Sequence, residues 1–189
     1  MMKNKFILAA LIILLLLVAS FIVYKKLFIL NSSVSNMEIA SSDFYNNNEI
    51  PRRYTCEGEE VNPYFKISEI PKETKTLVLI MDDPDAKKVV GKTWVHWLVF
   101  NISVKSSELE IQEDSVPGMQ GTNDFKKLEY GGPCPPAGSG VHHYYFKVYA
   151  LDSELDLKEG AVKTQIEKAM KNKIIEKAEL IGTFEKKGK

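Results

Sequence analysis

The sequence predicts a mainly β protein, a β-sandwich or barrel-like fold with one helix near the C-terminus packed on the sheet. Three observations carry this. First, residues 76–81 (TLVLIM), 93–102 (TWVHWLVFNI) and 142–150 (HHYYFKVYA) are short runs rich in β-branched and aromatic side chains. Second, the segments between them are turn-forming: DPDAKK, NISVKSS, VPGMQGTND and the opening of GGPCPPAGSGVHHYYFKVYA. Third, a single stretch near the C-terminus has convincing helical periodicity. Val162, Ile166, Ala169, Met170 and Ile174 recur at the 3.6-residue period, with Lys163, Glu167, Lys168 and Lys171 opposite. That pattern is a helix packed on a sheet. Residues 179–186 (ELIGTFEK) read as a last strand.

The elements in front of the β region are different in kind. Residues 6–24 (FILAALIILLLLVASFIVY) carry no charge and have lysines on both sides. At about 1.5 Å per residue, this run matches the ~30 Å of a bilayer core. The sequence therefore predicts a transmembrane anchor over residues 1–30, an uncleaved signal-type segment, with the domain outside the cytoplasm. A polar linker at 31–36 (NSSVSN) and a domain over 37–189 follow. Four of the 25 basic residues flank the anchor, so the rest of the chain holds four more acidic than basic residues. That balance excludes a strongly basic nucleic-acid surface. There are two cysteines, Cys56 and Cys134, and neither belongs to a CxxC. An extracytoplasmic domain would join them as a disulfide, whereas a cytoplasmic one would favour two unpaired buried thiols.

Alternation along strands picks out candidate site residues. His96 shares a predicted face with Trp94, Leu98, Phe100 and Ile102. His142 shares one with Tyr144, Phe146, Val148 and Ala150, and Asp83 one with Leu77, Leu79 and Met81. Each segment thus carries polar groups on an apolar face near a strand end, where burial without partners is costly. Bringing Asp83, His96, His142 and Tyr144 together at one edge of the core meets that cost. His143 points the other way and reads as solvated. The loop before it can present backbone N–H groups to an anion, because Gly138 and Gly140 allow φ > 0. Pro135 and Pro136 stiffen it, with a cis bond open to them.

DPDA (83–86), WVHW (94–97) with the following NI, GGPCPPAGSGVHHYYF and YALD (149–152) resemble the phosphatidylethanolamine-binding protein family. YTCEGE (54–59) and AELIGTF (178–184) resemble its bacterial and archaeal Raf-kinase-inhibitor-like branch. The resemblance spans roughly residues 37–186. It implies a two-sheet antiparallel β-sandwich with a peripheral C-terminal helix, and a small pocket for phosphate, phosphoethanolamine or acetate. It implies no cofactor and no catalysis, and it allows an inhibitor-like role toward a kinase or protease partner. Matched residue by residue, the implied pocket is Asp83, His96, Cys134, Pro135, His142 and Tyr144, with Ala86 and Trp94 at its rim. Two positions depart from the pattern: Lys87 replaces a proline after DPDA, and His143 stands where arginine is usual.

Within that pocket, Asp83 is expected to hold one histidine and favour its charged form, which would then anchor a phosphate. A competing arrangement pairs Asp83 with the ammonium of an ethanolamine head. The alternative function is a metal-dependent hydrolase using Asp83, Asp85, His96 and His142. The sequence has no HExxH, and Ser139 lacks the GxSxG frame of an activated serine.

Overall fold

The computed structural model describes residues 16–24 and 37–188. Residues 16–24 are helical. Among the described residues no helix is long and apolar enough to cross a membrane. This overturns the expected membrane-anchored localisation, and with it the placement of the domain outside. The remainder of the predicted span and the linker lie outside the described residues.

From residue 37 onward the chain is mainly β. In order, the elements are β1 (Glu38–Ala40), β2 (Asn48–Glu49), β3 (Phe65–Ser68), β4 (Thr76–Asp83), α1 (Lys87–Val90) and β5 (Trp94–Ser103). They continue with β6 (Leu109–Ile111), β7 (Met119–Gln120), β8 (His142–Leu151), α2 (Lys163–Met170) and β9 (Ile174–Phe184). One sheet has the order β1-β3-β6 and the other β2-β9-β8-β4-β5-β7. Every pairing is antiparallel except the two-residue contact of β2 with β9, which is parallel.

Strand β4 lies between β8 and β5, and all eight of its residues are buried. Both its faces are covered, which explains why its sequence is continuously apolar rather than alternating. Leu77, Leu79 and Met81 join the core that includes Phe65, Trp97, Tyr144 and Phe146. Val78 and Ile80 join a second core with Leu98, Phe100 and the α2 residues Ile166 and Met170. Asp82, on that second side, accepts from Lys147 and Lys163 and ties α2 to the sheet.

Two sequence expectations change here. Along β5, simple alternation fails. Met81 pairs with Trp97 and Asp82 with Val95, so His96 is an extra residue without a partner on β4. The bulge returns Leu98 and Phe100 to the second core, away from the face of His96. A further irregularity follows at Asn101, whose φ is 54°. The C-terminal helix also stops earlier than its periodicity suggests. Asn172 turns the chain at φ 66°, and Ile174 begins β9 instead of continuing the helical face.

Candidate functional site

The antiparallel order sets the C-terminal end of β4 beside the N-terminal ends of β5 and β8. Asp83 lies opposite Trp94, and Asp82 opposite Tyr145. A cleft of about 150 Å³ opens at this edge. All eight residues of the sequence-derived set line it: Asp83, Ala86, Trp94, His96, Cys134, Pro135, His142 and Tyr144. Val89, Val90, Phe125 and Pro136 complete the wall. Phe125 comes from a turn segment and packs edge-on against both Trp94 and His96, at 5.4 Å between ring centres in each case. No strand pattern signals it.

The floor of the cleft is polar and buried. His142 donates from Nδ1 to Asp83 Oδ2 at 2.7 Å, since a carboxylate oxygen can only accept. Asp83 Oδ1 accepts the backbone N–H of Ala86 at 3.1 Å, which fixes the carboxylate plane. Nε2 of His142 lies 3.0 Å from the hydroxyl of Ser139. His96 donates from Nδ1 to the carbonyl of Gly131 at 2.7 Å, so its Nε2 is the acceptor of the neutral ring. The chain can pass this close because residue 131 has no Cβ; one there would sit 2.6 Å from the Phe125 ring. The Tyr144 ring stands edge-on to His96 at 5.1 Å. Its hydroxyl is buried and has no hydrogen-bond partner. Burial, reinforced by nearby Asp83, pushes that hydroxyl well above its ordinary pKa, so it stays a donor.

The two cleft histidines have different partners, Asp83 for His142 and the Gly131 carbonyl for His96. His96 is pushed below its ordinary pKa by burial, only partly offset by its bond to Gly131 and the field of Asp83. A neutral His96 cannot anchor an anion by charge. His143, expected to be free in solvent, is half-exposed and bonded instead: its ring and its backbone N–H both reach Asp85 Oδ2, at 2.7 and 3.1 Å. Burial opposes ionisation of Asp85, but the hydrogen bonds from His143 and Lys88 outweigh it and hold its pKa at about 2. Among the described residues, no group of three or more His, Cys, Asp or Glu is placed to hold a metal ion, so the hydrolase alternative finds no support.

The loop from Gly131 to Val141 closes one side. Cys134 is joined to Cys56 by a disulfide across 78 residues of sequence. Gly138 and Gly140 adopt φ of 81° and 85°, as the left-handed turn requires. The prolines take no cis bond. The loop turns one of its N–H groups on itself, from Ser139 to the carbonyl of Pro136.

A pH prediction follows from His96. Its pKa in the folded chain is depressed, so the unfolded chain takes up a proton first as pH falls. The contribution is fully present above about pH 6.5 and is lost as pH drops from there toward the folded pKa. One proton gives a slope of at most about 1.4 kcal/mol per pH unit. Urea denaturation between pH 7 and pH 5 is expected to show a shallower loss in His96→Gln than in the parent chain.

A mainly β body with two unequal sheets and a buried Asp–His cleft at one sheet edge defines the class. The chain belongs to the phosphatidylethanolamine-binding protein family, whose sequence profile matches residues 40–185. It is 46% identical over 156 residues to a UPF0098 protein of Pyrococcus horikoshii, covering 78% of this chain and 76% of that one. Its fold is similar to that of a phosphatidylethanolamine-binding protein homolog from Chlamydia trachomatis, with 39% identity and a TM-score of 0.73. That match covers 81% of this chain and 99% of the homolog. It is equally similar in fold to Escherichia coli YbcL, described as a member of the mammalian family. There the TM-score is 0.73 at 27% identity, over 81% of this chain and all of YbcL.

Proposed function

We propose that the chain is a binding protein for small phosphate-type head groups, inorganic phosphate or phosphoethanolamine, held in the cleft of Asp83, His96, His142 and Tyr144. The observation that carries this reading is the Tyr144 hydroxyl. It is a buried donor left without a partner on the wall of a cleft, and such a group costs about 1–3 kcal/mol unless a ligand satisfies it. Neither lysine nor arginine lines the cleft. A bound phosphate would therefore suit it best when singly protonated, taking a hydrogen bond from Tyr144 and giving one to neutral His96. The apolar rim of Val89, Val90, Trp94 and Phe125 fits the carbon skeleton of a monoester.

Tyr144→Phe tests this with two effects of opposite sign. Removing the orphaned hydroxyl is expected to stabilise the ligand-free protein by about 1 kcal/mol. The same change is expected to weaken phosphate or phosphoethanolamine binding about tenfold, the loss of one hydrogen bond. Calorimetric titration and thermal unfolding read the two effects. Absence of binding to the parent chain, or equal affinity in Tyr144→Phe, overturns the reading.

A further inference from the structure

Ser139, His142 and Asp83 form a continuous line of hydrogen bonds. Ser139 Oγ is 3.0 Å from His142 Nε2, and His142 Nδ1 is 2.7 Å from Asp83 Oδ2. Both ring nitrogens are thus engaged, one by a hydroxyl and one by a carboxylate. The side chains of His142 and Asp83 are only 3% and 4% exposed, so the ring has little freedom to turn. The second oxygen of Asp83 is fixed by the Ala86 N–H. This is the order of groups that activates a serine: a base within reach of the hydroxyl, and a buried carboxylate that sets the tautomer of the base.

Ser139 is placed to meet a substrate. It is exposed, and there is open space where a side chain on Gly138 or Gly140 would stand. The loop that carries it is pinned by the Cys56–Cys134 disulfide and by the Ser139–Pro136 backbone bond. The hydroxyl has a second contact, with the Pro136 carbonyl at 2.7 Å. Its single proton can serve either that carbonyl or His142, and only the second choice prepares a nucleophile.

We propose that Ser139 is a nucleophile, with His142 as its base, and that the protein transfers acyl groups from small activated carboxylic esters to water. This goes beyond ligand binding and does not depend on it. Ser139 Oγ attacks the carbonyl carbon as its proton passes to His142 Nε2, and the carbonyl electron pair moves to oxygen. The pair returns, the C–O bond to the leaving alcohol breaks, and the alcohol oxygen takes the proton from His142. Water, deprotonated by His142, then attacks the acyl-serine, releasing a carboxylic acid and restoring Ser139. Asp83 remains ionised and stabilises the imidazolium.

The test uses the full chain with two probes, 4-nitrophenyl acetate and a fluorophosphonate. The expected results are ester hydrolysis and one covalent phosphonate adduct mapped by mass spectrometry to Ser139. In Ser139→Ala the adduct should vanish and the rate should fall at least about 100-fold. Ser139 is exposed, so the variant is expected to fold, and its unfolding midpoint is measured alongside. No adduct on the parent chain, an adduct elsewhere only, or an unchanged rate in Ser139→Ala overturns the proposal. Titration of the parent chain with inorganic phosphate, beside the adduct measurement on the same protein, separates the two readings. Phosphate binding without an adduct leaves the binding function standing and removes the nucleophile. An adduct without phosphate binding does the reverse.

Discussion

Asp83→Ala is expected to destabilise the protein by about 2–6 kcal/mol, because two buried N–H donors lose their acceptor at about 1–3 kcal/mol each. The loss has three parts. His142 keeps a buried Nδ1–H with nothing to accept it. The Ala86 N–H loses its acceptor at the entry to α1. The removed carboxylate also leaves a space beside Tyr144 in the cleft floor. Asp83→Asn keeps the volume and one acceptor oxygen, and should recover part of the loss. Urea denaturation of the three proteins at pH 7 measures this. A destabilisation under about 1 kcal/mol in Asp83→Ala would show that the pair contributes little to the fold. Phosphate binding in Asp83→Asn then reports on the site with a smaller stability defect.

The second large effect belongs to the disulfide. Cys56 and Cys134 close 78 residues of chain, enclosing β3 through β7. In the chain-entropy account, opening a loop of that length costs about 4.5 kcal/mol. For a domain of this size, that lowers the unfolding midpoint by about 10 °C or more. Scanning calorimetry of the Cys56→Ser/Cys134→Ser double variant, and of the parent chain under a dithiol, should agree on the shift. A shift of about 2 °C or less would place the stabilisation elsewhere. Cys134 also lines the cleft, so cutting the bond should slow or weaken phosphate binding as well.

The strands that build the cleft could be read from the sequence because their composition is unambiguous. Residues 76–81 and 142–150 became β4 and β8, and the inward set of His142, Tyr144, Phe146 and Val148 follows from simple alternation. The resemblance supplied Ala86, Cys134 and Pro135, which alternation alone could not. What escaped was set by tertiary structure. The bulge at His96 depends on how β5 meets β4, and no local pattern in WVHWLVF announces it. The start of β9 at Ile174 was hidden because Ile174 also fits the helical period of Val162, Ile166 and Met170. The parallel contact of Asn48–Glu49 with β9 is too short and too polar to leave a signal. Phe125 and Ser139 reach the cleft region from turns, where side-chain direction is not periodic. The N-terminal apolar run was long enough to suggest a span, yet no described helix has the length to make one.

The unpaired position of His96 bears on how such a site is gained and lost. Val95 and Trp97 already occupy successive pairs along the β4–β5 ladder, and His96 is inserted between them. Deleting that one residue would close the ladder into regular alternation, leaving Val95 in one core and Trp97 in the other. A single-codon deletion could thus erase a wall of the cleft without repacking either core, and a single-codon insertion could create it. Loss of the site and loss of the fold are, at this position, separate events.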